Sequence, residues 1–101
     1  MEIERWKKIP DWPQYAASSL GHIKRLAKAQ GAKPGRILKQ AIYPRSGYAY
    51  VLLQHRYRNC HGLVHRLVLL TFRGNPPHPK IQCNHRNGIK LDNRLSNLEW
   101  V

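Results

Sequence analysis

Residues 81–101 read IQCNHRNGIKLDNRLSNLEWV, and this stretch decides the fold. Ile81 and Cys83 alternate with polar neighbours toward Asn84 and His85, which predicts a short strand ending on a histidine beside an amide. Asn87-Gly88 follows as turn chemistry, since both residues accept the left-handed backbone a tight reversal needs. A second short strand is expected over Asn97 to Trp100. Strand, asparagine-rich loop, strand is the frame to which the rest of the chain must attach.

Upstream, Leu63, Leu67 and Leu70 recur at helical spacing, with Val64, Val68 and Phe72 widening the apolar stripe, so a buried helix is predicted over Leu63–Phe72. Gly74-Asn75-Pro76-Pro77 ends it, because glycine caps and proline cannot continue a helix. Before it, Tyr48 to Leu53 is the strongest strand signal, preceded by a Pro44–Gly47 turn. His55 to Gly62 is polar and reads as a loop or hairpin tip bearing Arg56 and Arg58. Arg36–Lys39 is a short strand candidate, and residues 28–35 read as a mobile basic loop. Tyr15–Ser19 and His22–Leu26 flank a Leu20-Gly21 turn, and Trp6–Trp12 is an extended, proline-punctuated lead-in. Strands, one helix, then strand-loop-strand, without βαβ alternation, define an α+β chain.

Composition narrows the partner. The chain has 101 residues, enough for one modest core, and carries 18 Lys and Arg against 5 Asp and Glu, a net charge of +13. Such self-repulsion is relieved by a polyanion, and each DNA phosphate contacted releases condensed counterions. A membrane surface fits less well, since the charge lies on strand-like and loop-like segments and no basic amphipathic helix is present. No apolar run approaches the roughly 18 residues of a membrane span. The start, Met-Glu-Ile-Glu-Arg-Trp, lacks the apolar core and cleavage site of a secretory signal. Two cysteines, Cys60 and Cys83, are too few for a disulfide framework, so a cytosolic setting is expected.

Asn84-His85, Asn93 and Asn97, read with the upstream motifs, resemble the phage-type branch of the HNH homing endonucleases. Trp6-Lys-Lys-Ile-Pro10, Tyr15 and Ser18-Ser-Leu-Gly-His-Ile-Lys-Arg25 resemble the NUMOD-type DNA-binding motif that often precedes such nucleases. Gly35-Arg-Ile-Leu-Lys39, Gly47-Tyr48 and Val64-His-Arg-Leu-Val68 follow in that family's order. The resemblance implies a β-rich DNA-binding portion over 1–58 and a ββα-metal nuclease portion over 59–101. It implies His85 as general base, Asn84 as a metal ligand through its side-chain oxygen, and Asn97 as the residue that pins the loop and aims His85. It further implies Mg²⁺ or Mn²⁺ as cofactor and hydrolysis or nicking of double-stranded DNA, leaving 5′-phosphate and 3′-hydroxyl ends. A phage or prophage protein acting in the bacterial cytoplasm is the matching setting.

Two departures stand out. Many members carry aspartate where this chain has Asn84, and an amide holds a hard cation less well than a carboxylate. The family's last metal ligand lies on a helix after the second strand, beyond Val101, so the expectations are a sequence truncated before that helix, a second copy or another chain that completes the site, or a protein that binds DNA and cuts poorly. Structural zinc is disfavoured, because Cys60, His61, His65 and Cys83 include no Cys-x-x-Cys pair. Asn87 and Asn93 read as turn formers and nothing more. Arg66 reads as a phosphate contact or a support for the loop. Lys24, Arg25, Arg36 and Lys39 are the first candidates for DNA contact, with Arg45, Arg56 and Arg58 after them. The rivals are a DNA-binding protein that keeps the scaffold without catalysis, and an RNA-binding basic protein. The latter is disfavoured because no sheet-platform pattern of aromatics is evident.

Overall fold

The computed structural model describes residues 2–26, 35–55 and 58–101, with the side chain of His55 left aside. β1 (Trp6–Ile9), β2 (Trp12–Ser18) and β3 (Ile23–Arg25) form one antiparallel sheet. Its β2 buries Tyr15 through Ser18, so this short strand lies inside the molecule, while Pro10-Asp11 supplies the turn out of β1. β4 (Ala41–Ile42), β5 (Ala49–His55) and β6 (Arg58–Leu63) form a second antiparallel sheet. β7 (Cys83–His85) and β8 (Leu98–Trp100) pair at the C-terminal side, Asn84 opposite Glu99 and His85 opposite Leu98.

The helix α1 (Val64–Arg73) packs on strands of all three sheets. Val64, Leu67, Val68 and Leu69 enter one core with Ile9, Tyr15, Ile23, Val51, Leu53, Leu95 and Leu98. Apolar burial of this kind contributes about 25 cal/mol per Å², so truncating a fully buried member such as Leu69 to Ala costs on the order of 2–5 kcal/mol. Arg73 in the last turn complements the helix dipole, and the Gly74 N–H closes the end on the Leu70 carbonyl at 3.0 Å.

The expected α+β class, the helix and the closing strand pair are all present. Two elements differ. The polar stretch read as a loop or hairpin tip contains β6, the second strand of an antiparallel hairpin whose residues pair with β5 from His55↔Arg58 to Tyr50↔Leu63. Its outer face is solvated, so polar residues suffice once β5 offers a ladder. Arg36–Lys39 is not a strand; Ile37 makes an isolated bridge to Lys24. The loop read over 28–35 lies, apart from Gly35, outside the described residues, as does Arg56.

Two contacts join the first sheet to the C-terminal loop. The Leu95 N–H donates to the Ser19 carbonyl at 2.8 Å. Gly21, at φ 92°, approaches the Asn93 backbone so closely that a Cβ would stand 2.9 Å from its carbonyl oxygen. A side chain there would clash and would also strain a backbone that L-residues rarely adopt.

Candidate active site

His85 ends β7 and is buried, at 7% exposure. Its Nε2 lies 2.7 Å from Asn93 Oδ1. An amide oxygen only accepts, so this bond fixes the tautomer with Nε2 protonated and leaves the Nδ1 lone pair free to take a proton. Asn93, read from sequence as a turn former, is therefore a partner of the histidine; it is buried at 5% exposure and rests on Gly21.

Asn97 closes the loop. It ends the 3₁₀ turn Leu95–Asn97, and its Oδ1 accepts the Asn87 N–H at 3.1 Å. Its Nδ2 donates to Asn87 Oδ1 and to the Asp92 carbonyl, each at 2.9 Å. Asn87 in turn donates from Nδ2 to Asp92 Oδ2 at 2.8 Å, and the Arg94 guanidinium grips both Asp92 oxygens at 2.8 Å. The Arg94 bond, helped by Asn87, holds the Asp92 carboxyl well below the usual carboxylate range. Gly88, at φ 75°, makes the turn, and its N–H bonds the His85 carbonyl at 2.9 Å. Lys90 reaches out to the Ser46 carbonyl at 2.7 Å and so ties the loop to the turn before β5.

A second histidine lies against the first. His65, in the first turn of α1, is buried, with its ring centroid 5.1 Å from that of His85. Tyr48 stacks on both rings, at 4.7 Å from His65 and 6.0 Å from His85. Burial foremost, then the neighbouring His85 and Arg66, lowers the His65 pKa to about 4, so it is neutral near pH 7. Its Nδ1 is sealed from solvent without a hydrogen-bond partner among the described residues.

Asn84, next to His85 on β7, is exposed to solvent. Its amide oxygen is a hard donor of the kind Mg²⁺ or Mn²⁺ takes. No group of three or more His, Cys, Asp or Glu side chains converges as a cation site among the described residues. The carboxylate opposite Asn84, that of Glu99, faces Arg86 at 3.8 Å. The donors present thus fit a hard cation in kind, contributing one neutral oxygen. They do not fit zinc: Cys60 is exposed on β6, while Cys83, half-buried on β7, is turned to the His65 carbonyl. Burial pushes the Cys83 thiol up to about 11, far from the thiolate that zinc requires.

The basic candidates divide. Lys24 lies over Trp6 at 4.2 Å, and Arg25 over Tyr15 at 5.1 Å while donating to the Tyr15 hydroxyl at 2.9 Å. Arg36, Lys39, Arg45, Arg58 and Arg66 are exposed and unpaired with any carboxylate among the described residues. The outer face of β4–β6 holds a feature that sequence reasoning missed. Tyr43 and Tyr50 stack at 4.2 Å, Tyr50 and His61 at 4.5 Å, and the Tyr43 hydroxyl bonds His61 Nδ1 at 2.7 Å. Period-2 alternation places Tyr50 outward, but its meeting with His61 of β6 and with Tyr43, just after β4, depends on register and leaves no local signal.

A histidine held by an amide at the end of one strand of a strand–loop–strand, beside a basic β-rich unit, is the build of an HNH-type nucleic-acid enzyme. Comparison with known proteins agrees: the NUMOD4 motif matches residues 4–54 and the HNH endonuclease family residues 62–101. The chain belongs to the HNH homing endonuclease family. Two uncharacterized HNH endonucleases of Acanthamoeba polyphaga mimivirus are 39% and 36% identical over 97% and 98% of this chain, covering 24% and 27% of their own lengths. The H-N-H endonuclease F-TflII of Escherichia phage T5 is 26% identical over 97% of this chain and 48% of its own. A solved structure of the HNH homing endonuclease I-HmuI, described as DNA binding and cleavage, superposes with a TM-score of 0.79 at 30% identity, over 96% of this chain and 52% of that one. The chain thus spans about a quarter to a half of the length of these relatives. Among the described residues, no helix is long and apolar enough to cross a membrane.

Proposed function

We propose that this chain binds double-stranded DNA and hydrolyses or nicks its backbone, with residues 1–58 serving mainly to grip DNA and 59–101 to cut it. The observation that carries the reading is the bond from His85 Nε2 to Asn93 Oδ1, which leaves Nδ1 as the proton acceptor. His85 takes a proton from water, and the resulting hydroxide attacks phosphorus while the 3′ oxygen departs. Asn93 keeps the ring from rotating, and Asn97 holds the loop that carries Asn93. Asn84 would offer its amide oxygen to Mg²⁺ or Mn²⁺, which, when bound, supplies positive charge against the charge developing on the phosphate and leaving oxygen.

The test is supercoiled plasmid with Mg²⁺ or Mn²⁺, comparing the chain with His85→Ala and with excess chelator. Nicked circle that requires both His85 and free cation is the expected result. Product no greater than that of His85→Ala would leave the second reading, a DNA-binding scaffold without catalysis. That second reading is favoured by Asn84 itself, a neutral donor, and by the lack of any convergence of three or more His, Cys, Asp or Glu side chains among the described residues.

A further inference from the structure

We propose that Lys90 and Tyr48 are positioning residues for His85: the lysine clamps the tyrosine ring, and that ring sets the plane of the imidazole. This rests on the endonuclease reading and deepens it, because a proton acceptor must be aimed as well as freed. The bond from His85 Nε2 to Asn93 Oδ1 fixes one end of the imidazole. It leaves the ring able to rock about the line from Cγ to Nε2, and histidine χ2 has only a broad, roughly two-fold preference of its own. Rocking swings Nδ1 away from any one direction. Aim therefore needs a second restraint, acting on the flat of the ring.

Tyr48 supplies that restraint. Its ring lies 18° from parallel to the His85 ring at 6.0 Å, and 26° from parallel to the His65 ring at 4.7 Å. The two histidine rings stand 5.1 Å apart, so the three rings form one cluster. Offset, nearly parallel rings resist tilting, because a tilt forfeits dispersion contact along one side. His65 is buried in the first turn of α1 and gives the cluster a fixed back.

Tyr48 is only half-buried and is itself held from the loop. The Lys90 ammonium stands 5.1 Å from the centre of the Tyr48 ring and donates to the Ser46 carbonyl at 2.7 Å. Its stem passes Gly47, where a Cβ would stand 3.4 Å from Lys90 Cδ. One hydrogen bond and one cation–π contact thus fasten the loop to residues 46–48. Lys90 and Asn93 belong to the same loop. That loop carries both restraints on His85, the amide at the edge of the ring and the clamp on its wall.

The experiment compares the chain with Lys90→Met, Lys90→Arg, Tyr48→Leu and Tyr48→Phe, first by proton NMR in excess chelator without DNA. The carbon-bound ring protons of His85, assigned through His85→Ala, report the ring current of Tyr48. Lys90→Met keeps the stem and loses the charge, and it should move these signals; Tyr48→Leu should move them further. Lys90→Arg and Tyr48→Phe should stay near the wild-type positions, since a guanidinium also donates and stacks on an aromatic face. In plasmid nicking at saturating protein with Mg²⁺ or Mn²⁺, the rate should fall about 3- to 10-fold in Lys90→Met and about 10- to 30-fold in Tyr48→Leu. Duplex affinity should hold within about twofold, and the two conservative variants should recover most of the rate.

Unmoved His85 signals in Lys90→Met would overturn the clamp, and this exposed residue decides the matter even where Tyr48→Leu does not fold. Moved signals with an unchanged rate would overturn the positioning role. Weaker duplex affinity, a salt slope reduced by about 0.9 and an unchanged rate in Lys90→Met would make Lys90 a phosphate contact instead. A loss in Tyr48→Phe equal to that in Tyr48→Leu would assign the effect to the hydroxyl and overturn the ring wall. The NMR arm needs neither metal nor cleavage. A wild-type chain that does not nick therefore sinks the endonuclease reading while the ring signals still decide the clamp, and nicking with unmoved signals sinks only the clamp.

Discussion

The loop 86–97 and the β4–β6 sheet treat polar side chains in opposite ways. In the loop, Asn87, Asp92, Asn93, Arg94 and Asn97 are bonded to one another, to loop backbone or to His85. On and around the sheet, Arg36, Lys39, Arg45 and Arg58 face solvent without a carboxylate among the described residues. A closed network spends its polarity on geometry, here the direction of one imidazole. Uncompensated cations spend theirs only when a polyanion arrives. The contrast separates the parts that should govern rate from those that should govern affinity.

The largest expected effect tests that division at its centre. His85→Ala should lower plasmid nicking by at least about 100-fold while duplex affinity, measured by anisotropy, stays within about twofold. A parallel loss of affinity would mean that the histidine belongs to the binding surface instead. Asn93→Leu comes next, with nicking down about 10- to 100-fold and an unchanged salt dependence of binding, because it frees the ring without removing charge.

Stability offers a third test. Asn97→Ala strands the Asn87 N–H and the Asp92 carbonyl, so urea denaturation should show a loss of about 1–3 kcal/mol. A change below about 0.5 kcal/mol would show that the loop is not held through Asn97. Acid separates the groups further. The His65 pKa is lowered in the fold, so the unfolded chain takes up the proton first, and stability falls as pH drops from about 6.5 toward 4. His65→Phe should flatten that segment of a stability-against-pH curve. Below it, protonation of Asp92, whose carboxyl is held low by Arg94, adds a second loss. The smallest effects belong to the sheet: replacing Arg36, Lys39 or Arg58 by Ala should each weaken binding a few-fold and reduce the salt slope by about 0.9 per phosphate contact. Melting should be unaffected.

Much of this architecture was legible because it is periodic. Leu63, Leu67 and Leu70 announce α1 through spacing, and the strand alternation of Tyr48–Leu53 announces β5. Gly74 marks its helix end. What escaped depends on closure between distant segments. Asn93 meets His85 only after eight residues fold back, and an asparagine in an asparagine-rich loop looks the same whether it forms a turn or holds a ring. β6 escaped because R-N-C-H-G-L has weak strand propensity; it is a strand because β5 is beside it. The orphaned Nδ1 of His65 is a fact of packing, invisible in the residue type.

The contact between Gly21 and Asn93 has a consequence for how such proteins can be rebuilt. DNA-binding motifs and nuclease motifs invite exchange, as though one specificity unit could be traded for another. Here the seam is a bare backbone pressed against the residue that steers His85, with a Cβ excluded at 2.9 Å. A transplanted N-terminal unit must bring a glycine to that point, or it will arrive intact and jam the loop it was meant to serve.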